Sequence, residues 1–228
     1  MIGIICAMQV ELETIKEYSE NCSETYVGYF NFIKCTLCGK ETVMCISGIG
    51  KVFAALCAHT MIMHFSPELI INVGVGGNLT SDLKIGDITI ADGLVQHDMD
   101  TTALGEVPGL ISGIDIVKFK CDNTIVENLC GICDKLGFNY SKGTIATGDR
   151  FVSTKEEKTR IVNTFGAISC DMEGGAIAQA CYINNVPFAA IRAISDDADN
   201  SSPSDFTEFC KTSARKSAKL VVSLIKEK

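Results

Sequence analysis

Short apolar runs alternate along this chain with longer stretches of helical spacing. Ile2-Gly-Ile-Ile-Cys-Ala-Met8 is the first apolar run and reads as a strand; Met8 to Glu20 then reads as a helix carrying Glu11, Glu13 and Glu17. Tyr26 to Leu37 and Glu41 to Ile46 read as a hairpin turning at Gly39-Lys40. Ser47-Gly-Ile-Gly50 breaks the second strand, and Lys51 to Phe65 has helical apolar spacing that stops before Pro67. Leu69-Ile-Ile-Asn-Val73 is nearly uninterrupted, the pattern of a strand covered on both faces, and Gly74-Val-Gly-Gly77 reads as a glycine turn behind it. Ile88 to Ala91 is another strand, Asn123 to Leu136 an amphipathic helix, and Tyr140 to Ala146 a strand delivering Thr147-Gly-Asp-Arg-Phe151. Thr154 with Glu157 has the spacing of a capping box.

The last third repeats the pattern. Ala167 to Cys170 is a short buried strand, Gly174 to Cys181 a helix of small residues, Val186 to Ile191 a strand, and the final helix runs to about Ile225. Strand and helix alternate throughout, which predicts one α/β domain over residues 1–228: a central mixed, largely parallel twisted sheet flanked by helices. Gln96 to Gly113 is the longest stretch without periodicity, and a loop of that length is expected to be functional or to lie at an interface.

Composition narrows the partners. A net charge of -8 and a pI near 4.9 argue against nucleic acid or an anionic membrane. No apolar run approaches the roughly 18–20 residues that cross a bilayer. The first residues lack the basic start of a signal peptide, so a cytoplasmic location is expected. The 12 cysteines lie mostly among apolar neighbours, where a reduced thiol behaves as a small hydrophobe. Of the two C-x-x-C pairs, Cys35/Cys38 falls in a strand pattern and Cys130/Cys133 in a helical one; neither offers a zinc or redox geometry, and no metal is expected. His59 and His64 read as structural, and His97-Asp-Met-Asp100 as a loop anchored by hydrogen bonds.

Candidate chemistry concentrates near strand exits. Glu173 opens a helix behind one strand, and Arg192 and Asp196 sit where the next is expected to finish. In open α/β sheets ligands bind at the carboxyl ends of strands. A structural ion pair with Arg192 is the alternative. Partly buried carboxylates in different environments divide acid and base work, and hydrolysis at a glycosidic carbon needs both, along with contacts to sugar hydroxyls. The glycine segments match neither dinucleotide nor P-loop fingerprints, and no Ser or Cys sits in a nucleophile elbow.

Ile2 to Glu11, Ser47-Gly-Ile-Gly-Lys51, Gly148-Asp-Arg-Phe151, Asp171-Met-Glu173 and Arg192-Ala-Ile-Ser-Asp196 resemble the 5′-methylthioadenosine/S-adenosylhomocysteine nucleosidases of the nucleoside phosphorylase family, over essentially the whole chain. The resemblance implies that Asp196, supported by Ser195, protonates adenine N7. It implies that Glu11 activates the attacking water, that Arg192 orders that water, and that Glu173 holds the ribose hydroxyls with Met172 on the sugar. Phe151 would stack on the purine and the Val152 backbone would read its edge. Met8, Ile49 and Phe206 would line the alkylthio pocket, with Val75 and Gly76 beside the substrate. The family is dimeric, so Thr101, Leu104 and Pro108 would close the partner subunit's pocket; no cofactor is implied. Val75 departs from the family's serine, whose hydroxyl helps hold the water, and the loop before Pro108 looks shortened. A phosphate-dependent purine nucleoside phosphorylase is the rival reading, although the first 149 residues contain no arginine. A nucleoside-binding protein without turnover is the third.

Overall fold

The computed structural model describes residues 1–198 and 203–227; in the last helix, side chains are described at 209 and from 212 onward. In chain order the elements are β1 (Ile2–Cys6), α1 (Gln9–Lys16), β2 (Ser19–Val27), β3 (Phe30–Leu37), β4 (Lys40–Ile46), α2 (Lys51–Phe65), β5 (Leu69–Asn78), β6 (Ile88–Gln96), a 3-10 turn (Thr102–Leu104), β7 (Lys118–Lys120), α3 (Asn123–Leu136), β8 (Tyr140–Thr147), α4 (Lys155–Phe165), β9 (Ala167–Asp171), α5 (Gly174–Ile183), β10 (Phe188–Asp196) and α6 (Pro203–Glu227).

The strands form one mixed sheet in the order β10-β6-β8-β9-β5-β1-β4-β3-β2. Strand β10 also pairs with β5, so β10, β6, β8, β9 and β5 close into a ring, while β1, β4, β3 and β2 extend from it. Helix α6 lies on β5 and β10, α5 on β6 and β8, and α2 on β1 and β4. The core runs through both parts. Ile4, Ile5, Ile70, Ile71, Ile191 and Val221 are all inaccessible to solvent. Burying each aliphatic side chain of this size contributes about 1.5–3 kcal/mol.

Several elements differ from the sequence expectation. The first helix stops at Lys16 and Ser19–Val27 is an edge strand, paired antiparallel with β3. Every interior side chain of β2 is exposed, so no apolar periodicity marks it. The segment Gly74 to Gly77 is no turn: it is the second half of β5, and none of its glycines has a positive φ. Strand β10 continues through Asp196, which places Arg192 in mid-strand and not at its exit. The expected capping box forms in half: Thr154 accepts from the Glu157 N–H, but the Glu157 carboxylate pairs with Arg150 at 3.1 Å.

Candidate active site

Strand register explains how acids far apart in sequence come together. Strand β1 runs parallel to β5 with Cys6 opposite Val73, so the chain leaving β1 reaches Glu11 beside Gly74 and Val75. Strand β10 runs parallel to β5 with Arg192 opposite Gly74; an irregularity after Ile194 then sets Asp196 opposite Gly77. Such irregularities re-aim side chains at the rim of a closed sheet. Strand β9 meets β5 antiparallel, Cys170 opposite Gly77, so its carboxyl end delivers Met172 and Glu173 to the same place. One cleft results, lined by Met8, Glu11, Ile49, Val75, Gly76, Phe151, Val152, Met172, Glu173, Arg192, Ser195 and Asp196. The Phe206 side chain lies outside the described residues. Thr101, Leu104 and Pro108 do not line the cleft of their own subunit.

The glycines of β5 exist for close approach. A Cβ at Gly74 would stand 3.1 Å from Glu11 Oε1, one at Gly76 would stand 2.8 Å from the Cys170 carbonyl oxygen, and one at Gly77 would stand 3.2 Å from Asp196 Oδ1. Glycine inside a strand marks this kind of crowding.

Each carboxylate has its own surroundings. Glu11 is 2% exposed; its Oε2 accepts from the Ala7 and Met8 N–H groups, both at 3.0 Å, and its Oε1 from Val75 N–H at 3.1 Å. Burial raises its pKa, against the pull of those N–H groups and of Arg192. Asp196 accepts from Ser195 Oγ at 2.8 Å and from Ala198 N–H at 3.0 Å, and burial raises its pKa too. Glu173 Oε1 accepts from Gly50 N–H at 2.9 Å, the turn Ser47 to Gly50 being opened by positive φ at Gly48 and Gly50. Burial and the neighbouring Asp171 carboxylate push Glu173 up to about 7.

Arg192 is 1% exposed and its terminal nitrogens are committed within the protein. They donate to the Asn72 and Asp171 side chains and, at 2.8 Å, to the Ile191 carbonyl. The alternative of a structural ion pair therefore describes Arg192 in part, with Asp171 as its partner. Asp171, quoted above only within a motif, and Asn72, a lone polar residue in an apolar run, are the residues the sequence reading left without a role. Asn72 is 1% exposed and also donates to the Ile5 carbonyl at 3.0 Å; a buried amide inside β5 was the available signal. At the rim, Lys51 Nζ reaches Asp98 at 2.7 Å, Asp98 accepts from Asp149 N–H at 2.8 Å, and Asp149 accepts from Lys51 N–H at 2.7 Å. The expected hydrogen-bonded anchor of the segment 97–100 is thus present, and Arg160 adds contacts to the His97 carbonyl and ring.

Proteins of known name are similar to this chain in sequence and fold. The family model described as Phosphorylase superfamily matches residues 1–226. A 5′-methylthioadenosine/S-adenosylhomocysteine nucleosidase of Oceanobacillus iheyensis is 36% identical over 227 residues, covering 99% of both chains. The structure of the nucleosidase of that name from Neisseria meningitidis, in complex with methylthio-immucillin-A, superposes with a TM-score of 0.96 at 36% identity, covering 100% of this chain and 99% of that one. The native structure of futalosine hydrolase from Helicobacter pylori also gives a TM-score of 0.96, at 34% identity, covering 100% of this chain and 97% of that one. The chain belongs to the phosphorylase superfamily and, within it, to the 5′-methylthioadenosine/S-adenosylhomocysteine nucleosidases.

Proposed function

We propose that this protein hydrolyses the N-glycosidic bond of 5′-methylthioadenosine and S-adenosylhomocysteine, releasing adenine and the 5-thio-ribose. The observation that carries the reading is the convergence of Glu11, Glu173 and Asp196 on one cleft, each in a different hydrogen-bonding environment. The relatives' names supply the substrate.

Asp196, whose pKa burial raises, is the group that donates a proton to adenine N7 and makes the base a better leaving group. Ser195 fixes the orientation of that carboxyl. Glu11 activates the water at C1′, and the acids around the ribose stabilise positive charge developing in the transition state. Glu173 holds the ribose hydroxyls beside Met172. Phe151 stacks on the purine, the Val152 backbone reads its edge, and Met8 and Ile49 face the alkylthio group. Arg192 acts from beneath, holding the strand ends that carry these groups.

Hydrolysis is favoured over phosphorolysis because phosphate needs free cationic donors. Among the described residues the cleft offers Arg192, already bonded within the protein, and Arg150, paired with Glu157. A second reading keeps the chemistry and changes the 5′ group. Ile49, on the alkylthio side, is 58% exposed, which leaves that end open in one subunit, and a futalosine hydrolase shares the fold. Adenine release from methylthioadenosine, with and without phosphate and with futalosine as competitor, tests all three. Phosphate dependence or preference for the competitor would overturn the first.

A homodimer completes the proposal. Val52, Leu56 and Met63 form an exposed apolar stripe along α2, and Leu104 is 81% exposed on the loop that would reach the partner's cleft with Thr101 and Pro108. Sedimentation of the wild type and of Leu56→Glu tests it: a dimer is expected for the first and a monomer for the second.

A further inference from the structure

Helix α5 begins in an unusual way. Its N-cap residue is Glu173, yet the Glu173 side chain makes no capping hydrogen bond. The first amides of a helix have no partner within it and must be satisfied from elsewhere. Here Gly174 N–H donates to Asp171 Oδ2 at 3.0 Å and Gly175 N–H to Thr147 Oγ1 at 2.7 Å. Thr147 Oγ1 in turn donates to Asp171 Oδ1, and Arg192 donates to Asp171 Oδ2. Thr147 is fully buried and Asp171 is 8% exposed. Neither role is spare: every oxygen of the pair is used, and a carboxylate is a preferred group at a helix N-terminus.

Free amides at a helix N-terminus attract a neighbouring carboxylate. With the amides occupied, Glu173 reaches across to Gly50 N–H. Resting on the proposed function, we propose that Thr147 and Asp171 are positioning residues for the ribose-binding carboxylate: they cap α5 in place of Glu173 and so hold Glu173 in the cleft.

Asp171 also faces Glu173 as a like charge, with Arg192 and Gly50 N–H opposing it and Glu11 adding to it. Loss of Asp171 strands a buried Arg192, so the cleaner variant is Thr147→Val, which removes the hydroxyl and leaves the ion pair. Thr147→Ser restores it.

Two measurements test the proposal. In crystals of Thr147→Val, Glu173 Oε1 is expected to leave Gly50 N–H and approach the α5 amides, with wild-type geometry back in Thr147→Ser; an unmoved Glu173 would overturn the proposal, whatever the enzyme's substrate. In assays, the preference in kcat/KM for methylthioadenosine over its 2′-deoxy analogue is expected to fall about tenfold in Thr147→Val, the factor for one hydrogen bond of ordinary strength, and to recover in Thr147→Ser. A parallel loss on both substrates would also overturn it. A wild type that releases no adenine sinks the proposed function alone, and the crystallographic result then decides the capping.

Discussion

The backbone N–H of Val75 donates to Glu11 Oε1 at 3.1 Å, so the position where the resemblance implies a serine anchors the proposed base through its main chain. That anchor does not depend on the side chain. Val75→Ser is therefore expected to keep the fold and to preserve or raise hydrolysis by offering the water another partner. Adenine release under steady-state conditions checks it; a large loss would show a pocket built around the valine methyls.

Asp196 is the group whose removal is expected to cost most in turnover. Asp196→Asn keeps one amide oxygen to accept from Ala198 N–H and an NH2 that can donate to Ser195 Oγ, but it has no acidic proton to give. Turnover should fall at least about 100-fold, the usual effect of losing a general acid, with an unchanged melting temperature. A variant with near-normal activity would remove Asp196 from the mechanism.

Arg192 offers a stability test. Its guanidinium and Asp171 are both shielded from water, with side chains 2% and 1% exposed. Arg192→Gln leaves the Asp171 charge without its partner, and breaking a buried pair in this way costs about 3–5 kcal/mol. Urea unfolding should show it. A loss below about 1 kcal/mol would show that the buried pair contributes little to stability.

Gly76 tests the crowding in β5. A methyl group there meets a backbone oxygen at 2.8 Å, and backbone cannot rotate aside as a flexible side chain can. Gly76→Ala is expected to destabilise by about 1–3 kcal/mol and to lower activity by displacing Cys170 and the Met172–Glu173 segment behind it. Thermal unfolding and the assay together check this; an unperturbed protein would show that β5 and β9 can move apart.

Much of this was legible in the chain because the patterns were local. The run at residues 69–73, the amphipathic stretch 123–136 and the motif residues at 171–173 and 192–196 carry their own signals. What escaped depends on partners. Strand β2 has no apolar face, so only its pairing with β3 defines it. Gly74 to Gly77 carries turn-forming residues, and only the approach of Glu11, Cys170 and Asp196 explains why glycine is needed in a strand. Asp171 reads as an ordinary acid until Thr147, Gly174 and Arg192 are seen around it.

Glu173 gives the protein a pH dependence whose sign follows from its surroundings. Burial first, and Asp171 second, raise its pKa to about 7, above the ordinary glutamate value; Gly50 N–H and Arg192 oppose the rise and Glu11 adds to it. Between roughly pH 4.5 and 7 the native state therefore keeps a proton that the unfolded chain has released. Stability falls with pH wherever the native state binds more protons, so this contribution is complete below about pH 4.5 and is lost as pH rises through about 7. Glu11 and Asp196 are shifted the same way, but they remain in Glu173→Gln and largely cancel in a comparison. The variant cannot ionise at 173, so from pH 5 to pH 8 it should gain stability relative to the wild type, by up to about 3 kcal/mol. Urea midpoints of both proteins at the two pH values measure the difference, and parallel pH profiles would show that Glu173 titrates in the native protein as it does in the unfolded chain.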